Sequence, residues 1–155
     1  MDIKIFDWSR GVTKTFSINP ATKNLIKFLQ KIQPSYDEII LFGKSFGGLI
    51  AEKAIKKNDS QKIHLIYITT PHKHNKINLP PTLSVINIYS DQDKFQKISL
   101  KLLYFCFGSQ ILKNTKNISL TNIKHSDFNK NINIYYKGNK IKLFDFYTKI
   151  ILSKK

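Results

Sequence analysis

Residues 43 to 47 read Gly-Lys-Ser-Phe-Gly, and two chemistries share that spelling. As Gly-Lys-Ser it ends a phosphate-binding loop, G-x-x-x-x-G-K-[ST], whose first glycine opens a wide turn of N–H groups around a phosphate. As G-x-S-x-G it is a nucleophile elbow, in which a strand runs into a sharp turn, a serine takes the apex and a helix follows at once. The position that a phosphate loop needs as glycine is Glu38, and the next four residues are Ile39, Ile40, Leu41 and Phe42. A carboxylate followed by an apolar strand cannot cradle a phosphate. Ser45 therefore reads as a nucleophile. Gly43 and Gly47 flank it where side chains would collide, and Gly48 extends the room. The same turn aims the Phe46 N–H at the place where an oxyanion would form.

A serine needs a base, and the base needs an orienting acid. After an elbow of this kind the acid and then the histidine come later in the chain. The sequence has four histidines. His64 falls within an expected strand, and His72 and His74 precede the plausible acids. His125 alone comes late, in Ile-Lys-His-Ser-Asp-Phe, after a strand expected at 118 to 123. For the acid, Asp59 is too early, while Asp127 and Asp145 follow the histidine and suit loop and capping roles. Asp91 and Asp93 remain, both just beyond an apolar strand.

These residues need elements to carry them. A short strand is expected at 3 to 6, then a helix capped by Asn19 with Pro20 at its first position. Leu25, Phe28, Leu29 and Ile32 recur along that helix at 3.6-residue spacing. Residues 38 to 42 form the elbow strand, and a helix covers 46 to 57. Strands at 63 to 69, 83 to 89 and 118 to 123 follow. A hairpin around Gly138-Asn139 and a helix at 144 to 152 end the chain. Alternating strands and helices with short connections predict a mostly parallel sheet flanked by helices, an α/β fold in one domain over 1 to 155. In such sheets ligands gather beyond the carboxyl ends of the strands. Ser45, Asp91 or Asp93, and His125 all fall there.

Taken together, these stretches resemble the α/β-hydrolase superfamily over most of residues 1 to 130, in a reduced form. Leu-Phe-Gly-Lys-Ser-Phe-Gly-Gly-Leu-Ile-Ala looks like its nucleophile elbow. Ile-Thr-Thr-Pro-His at 68 to 72 is similar to the Thr-Pro-His stretch that follows the next strand in many lipases and esterases. Residues 86 to 95 resemble its acid loop, where a small residue stands three before the aspartate. Ser90 and Asp93 fit that spacing, so the resemblance favours Asp93 over Asp91. The family usually has further strands before the elbow, one of them leading to an oxyanion loop. Either Phe-Asp-Trp-Ser-Arg-Gly at 6 to 11 supplies that loop, with the N–H of Trp8 or Ser9 as second donor, or the loop is missing. The segment at 94 to 116, with Phe95, Leu102, Leu103, Phe105 and Phe107, has the length of a small lid and equally suits ordinary core.

The implied activity is that of a serine carboxylic-ester hydrolase, with Ser45, Asp93 and His125 as triad and Phe46 and Trp8 at the oxyanion. No metal or cofactor is needed, and the single Cys106 excludes an internal disulfide or a multi-cysteine metal site. The formal net charge is +16, but 25 of the 26 basic residues are lysine, crowded with isoleucine and asparagine as A/T-rich coding drift produces. Arg10 stands alone, so sequence-specific reading of nucleic acid is not expected. The charge instead suits an acyl ester on an acidic acyl carrier protein, as for the short methyl ester esterases of biotin synthesis, or a lipid ester at an anionic surface. Lys94, Lys97, Lys101 and Lys113 would flank the site. No apolar run reaches membrane-spanning length and no signal-peptide core opens the chain, so a cytoplasmic protein is expected. The alternative from another class is a non-catalytic binding protein on the same frame.

Overall fold

Ile63–Ile68 is buried at every position but His64, the pattern of a strand covered on both faces of a parallel sheet. In the computed structural model this strand, β2, lies between β1 (Ile39–Lys44) and β3 (Val85–Tyr89), with β4 (Lys116–Ser119) beyond. The order is β1-β2-β3-β4, every pair parallel. The structure describes residues 2, 4, 6, 18–58, 62–72, 79, 84–96, 98 and 110–153.

Two layers cover the sheet. On one face lie α1 (Ile18–Ile32) and α2 (Phe46–Lys56), where Leu25, Leu29, Ile50 and Ala54 pack with Ile63, Leu65 and Tyr67. On the other lie the antiparallel hairpin β5 (Asn133–Tyr136) and β6 (Asn139–Lys142), followed by α3 (Leu143–Leu152). Their Ile134, Leu143, Phe146 and Ile150 join Ile66, Ile68, Ile86, Ile88 and Ile118 in a second core. This is the α/β architecture that the alternating pattern predicts.

Several boundaries differ from the sequence reading. Helix α1 begins at Ile18, so Asn19 lies inside it rather than capping it; its Oδ1 accepts from Lys53 Nζ at 3.4 Å. Strand β4 occupies 116 to 119 instead of 118 to 123, because its register pairs Lys116 with Ile86 and Ser119 with Tyr89, where β3 ends. Leu120 and Ile123 are still core residues, but within the turn that leads to His125. The hairpin turns at Lys137-Gly138, one residue earlier than expected, with φ of 50° and 79°. Two positive φ values in a two-residue connection suit a type I′ turn, which matches the twist of the strands it joins.

The expected strand at 3 to 6 falls partly outside the described residues. Nearby, the Tyr36 hydroxyl donates to the Asp2 carboxylate, and the Phe6 and Phe28 rings lie 5.6 Å apart. Of the lid expected at 94 to 116, residues 94 to 96 form a helical turn, while 97 and 99 to 109 lie outside the described residues.

Candidate active site

Ser45 stands between β1 and α2 with φ 52° and ψ −127°. A non-glycine residue in that region is strained, at a cost of about 1–3 kcal/mol, and persists only where its surroundings over-determine it. Here they do. The Ser45 N–H donates to the Ile68 carbonyl at 2.9 Å, and the Ser45 carbonyl accepts from the Gly48 N–H at 3.0 Å. A Cβ on Gly43 would meet Gly48 Cα at 2.5 Å, and one on Gly48 would meet Thr70 Oγ1 at 2.0 Å. The tight contact is thus made at Gly48, one residue beyond the second glycine of the G-x-S-x-G pattern.

A serine at a helix N-cap ordinarily turns its oxygen onto the first free N–H groups. Ser45 makes no such side-chain bond, so its hydroxyl is not consumed in capping. The N–H of Phe46, the first residue of α2, likewise has no partner within the helix and suits a developing anion.

The acid turn leaves β3 at the same sheet edge. Asp93 is fully buried, whereas Asp91 is exposed. Asp93 Oδ2 lies 2.8 Å from His125 Nδ1, and Asp93 Oδ1 accepts the Gln96 N–H at 2.9 Å. Where the carboxylate accepts from Nδ1, that nitrogen carries the proton, and in a neutral imidazole Nε2 is then the acceptor. Asp93 thus holds the helical turn with one oxygen and His125 with the other.

His125 opens a 3-10 turn, His125–Asn129, beyond the end of β4. Asp127 closes that turn by accepting from the Lys124 N–H at 3.1 Å and from Lys130 Nζ at 3.0 Å, and these bonds hold its carboxyl below the usual range. Phe128 anchors the turn in the second core. On the open side the Phe95 ring tilts over the His125 ring, with centroids 4.6 Å apart. Lys44, the variable residue of the elbow, is half-buried. Desolvation lowers its pKa, against the fields of Asp93 and Asp127, which raise it.

The remaining candidates divide. Trp8 and Ser9 lie outside the described residues, as do Lys97 and Lys101, while Lys94 and Lys113 are exposed. His64 pairs with Glu38 at 2.8 Å, away from the site. Sequence reasoning missed Gln96 and Gln110, which bond to the acid turn. The available signal was Asp93-x-x-Gln96, the spacing of a capping box.

His72 is buried, with its ring edge-on to Tyr67 at 4.7 Å. Burial pushes its pKa down to about 4, against Glu52 and Asn87, which favour the charged form. With the folded value below the unfolded one, the unfolded state binds the proton first as pH falls. Stability should therefore drop between pH 6.5 and 4 by an amount on the order of 3 kcal/mol from this group. Urea midpoints across that window should fall in the wild type and fall less in His72→Phe, which keeps the ring contact and cannot titrate. Equal slopes in the two proteins would show that His72 is not the source.

A parallel sheet covered on both faces, a strained turn between β1 and α2, and carboxylate and imidazole on the turns after β3 and β4 fit the α/β-hydrolase fold in reduced form. Among solved structures the chain is similar to an alpha-beta serine hydrolase homologue from Coxiella burnetii, with a TM-score of 0.59 at 17% sequence identity. The match covers 93% of this chain and 65% of that one, so the chain spans less than two thirds of that structure's length. No family model and no curated protein matches it. None of the described helices is long and apolar enough to cross a membrane.

Proposed function

We propose that the protein is a serine hydrolase of carboxylic esters. The observation that carries this reading is the buried Asp93 carboxylate on His125 Nδ1 at 2.8 Å, at the sheet edge where Ser45 is held in its strained turn. In this reading Ser45 Oγ attacks the acyl carbon while His125 Nε2 takes its proton. The imidazolium, stabilised by Asp93, then gives that proton to the departing alcohol as the C–O bond breaks. Water repeats the sequence on the acyl-enzyme and restores Ser45. The Phe46 N–H stabilises the oxyanion. A second donor would come from Trp8 or Ser9, and its loss costs on the order of 3 kcal/mol of transition-state stabilisation.

The substrate side is apolar in this reading, because Phe95, Ile98 and Ile111 expose 50%, 55% and 55% of their surface in and after the acid turn. Lys94 and Lys113, also exposed, motivate the finer assignment of an acyl ester carried on an acidic partner. Salt should then slow hydrolysis of the carrier-bound ester and leave a neutral short-chain ester unaffected.

A fluorophosphonate probe tests the activity directly. Labelling is expected in the wild type and absent in Ser45→Ala, with hydrolysis of p-nitrophenyl butyrate lost in parallel. Folded wild-type protein that takes no label would overturn the reading in favour of a non-catalytic binding protein on the same frame.

A further inference from the structure

Gln96 is fully buried, unusual for a residue type that mostly lies at the surface, and every polar group of its side chain is used. Its Nε2 donates to the Thr70 carbonyl at 2.8 Å, and its Oε1 accepts from Gln110 Nε2 at 3.1 Å. Each end of this link reaches the candidate site. Thr70 Oγ1 donates at 3.0 Å to the carbonyl of Gly43, two residues before Ser45. Gln110 Nε2 also donates to the Ser90 carbonyl at 3.1 Å, the same oxygen that accepts the Asp93 N–H at 3.1 Å. The Gln96 main-chain N–H meanwhile holds Asp93 Oδ1.

We propose that Gln96 is a positioning residue for the Asp93–His125 pair, tying the acid turn to the elbow strand through Thr70 and Gly43. The proposal rests on reading Asp93 and His125 as the catalytic pair. The physical ground is the geometry of the turn. Asp93 sits four residues beyond the end of β3, and a carboxylate held by one main-chain bond could pivot about its own Cα–Cβ bond. Fixing Oδ1 from Gln96, with Gln96 itself fixed to β2's carboxyl end and to Gln110, leaves Oδ2 one direction to point, at His125 Nδ1. Misplacement of a catalytic group by about 1 Å is enough to cost on the order of a hundredfold in rate. Gln96 touches no reacting atom in this account and acts only through Asp93.

Gln96→Leu keeps the side-chain volume and removes both amide bonds. The expected result is a kcat about tenfold to a hundredfold lower on p-nitrophenyl butyrate, with KM within about twofold. A second readout is the imidazole Nδ1 proton, which should resonate far downfield of the amides in wild-type proton NMR spectra. It should be absent in Asp93→Asn, and broadened or displaced in Gln96→Leu. Gln110→Leu, at a half-buried site, should move both readouts in the same direction by less, and it decides the matter if Gln96→Leu does not fold. Folded variants with wild-type kcat and an unmoved imidazole proton would overturn the proposal. A proton signal that responds to Gln96→Leu in a protein without esterase activity would uphold the positioning role and sink the hydrolase reading, so the two are separable.

Discussion

Asp93→Asn is expected to lower kcat by about four orders of magnitude while leaving the fold intact. The direction follows from which atoms face which. The Gln96 N–H requires an acceptor at the Oδ1 position, so the asparagine oxygen would settle there and its NH2 group would face His125. A donor opposite Nδ1 forces the imidazole proton onto Nε2, and a protonated Nε2 cannot accept from Ser45. The side chain is the same size, and a buried charge is exchanged for a neutral group, so thermal stability should be kept or raised. Steady-state hydrolysis and fluorophosphonate labelling rates, with a melting curve as control, check this. Activity within tenfold of wild type would mean that Asp93 does not serve His125 in catalysis.

Gly43→Ala is expected to destabilise the protein by about 3 kcal/mol or more, and Gly48→Ala by less. The new methyl group at 43 meets backbone, with Gly48 Cα at 2.5 Å and Gly48 N at 2.9 Å, and no rotamer change relieves it. Strand β1 and helix α2 would have to separate, which also disturbs the Ser45 turn between them. At 48 the obstacle is the Thr70 side chain, with Oγ1 at 2.0 Å and Cγ2 at 2.6 Å. Thr70 can rotate, at the expense of its bond to the Gly43 carbonyl. Urea unfolding midpoints should rank wild type above Gly48→Ala, and Gly48→Ala above Gly43→Ala. A Gly43→Ala protein as stable as wild type would show that the elbow packs less tightly than these distances require.

The strand, turn and helix around Ser45 were legible because their causes are local. An apolar run, small residues at 43, 47 and 48 and a serine at the apex lie within a dozen residues of each other, so strand, turn and helix follow from chain sterics and periodicity. The parallel architecture was legible for a similar reason, since short alternating elements leave few ways to bury their apolar faces. Element ends were less so. Where β4 stops is set by its pairing to β3, which is not written in the residues at that end.

The site depended more on tertiary structure. Asp91 and Asp93 are two residues apart and chemically equal; a family resemblance favoured Asp93, and the contact itself is made by a turn 32 residues later. Gln96 and Gln110 look like surface residues in sequence, because nothing local announces that both will bond to the same acid turn. Residue types and their order were therefore enough to determine the parallel sheet and the strand, turn and helix around Ser45, which follow from short-range sterics and burial. Which carboxylate meets the imidazole, and which amides hold it there, was decided by strands brought side by side from distant parts of the chain, since a hydrogen bond depends on distance and angle that sequence separation does not specify.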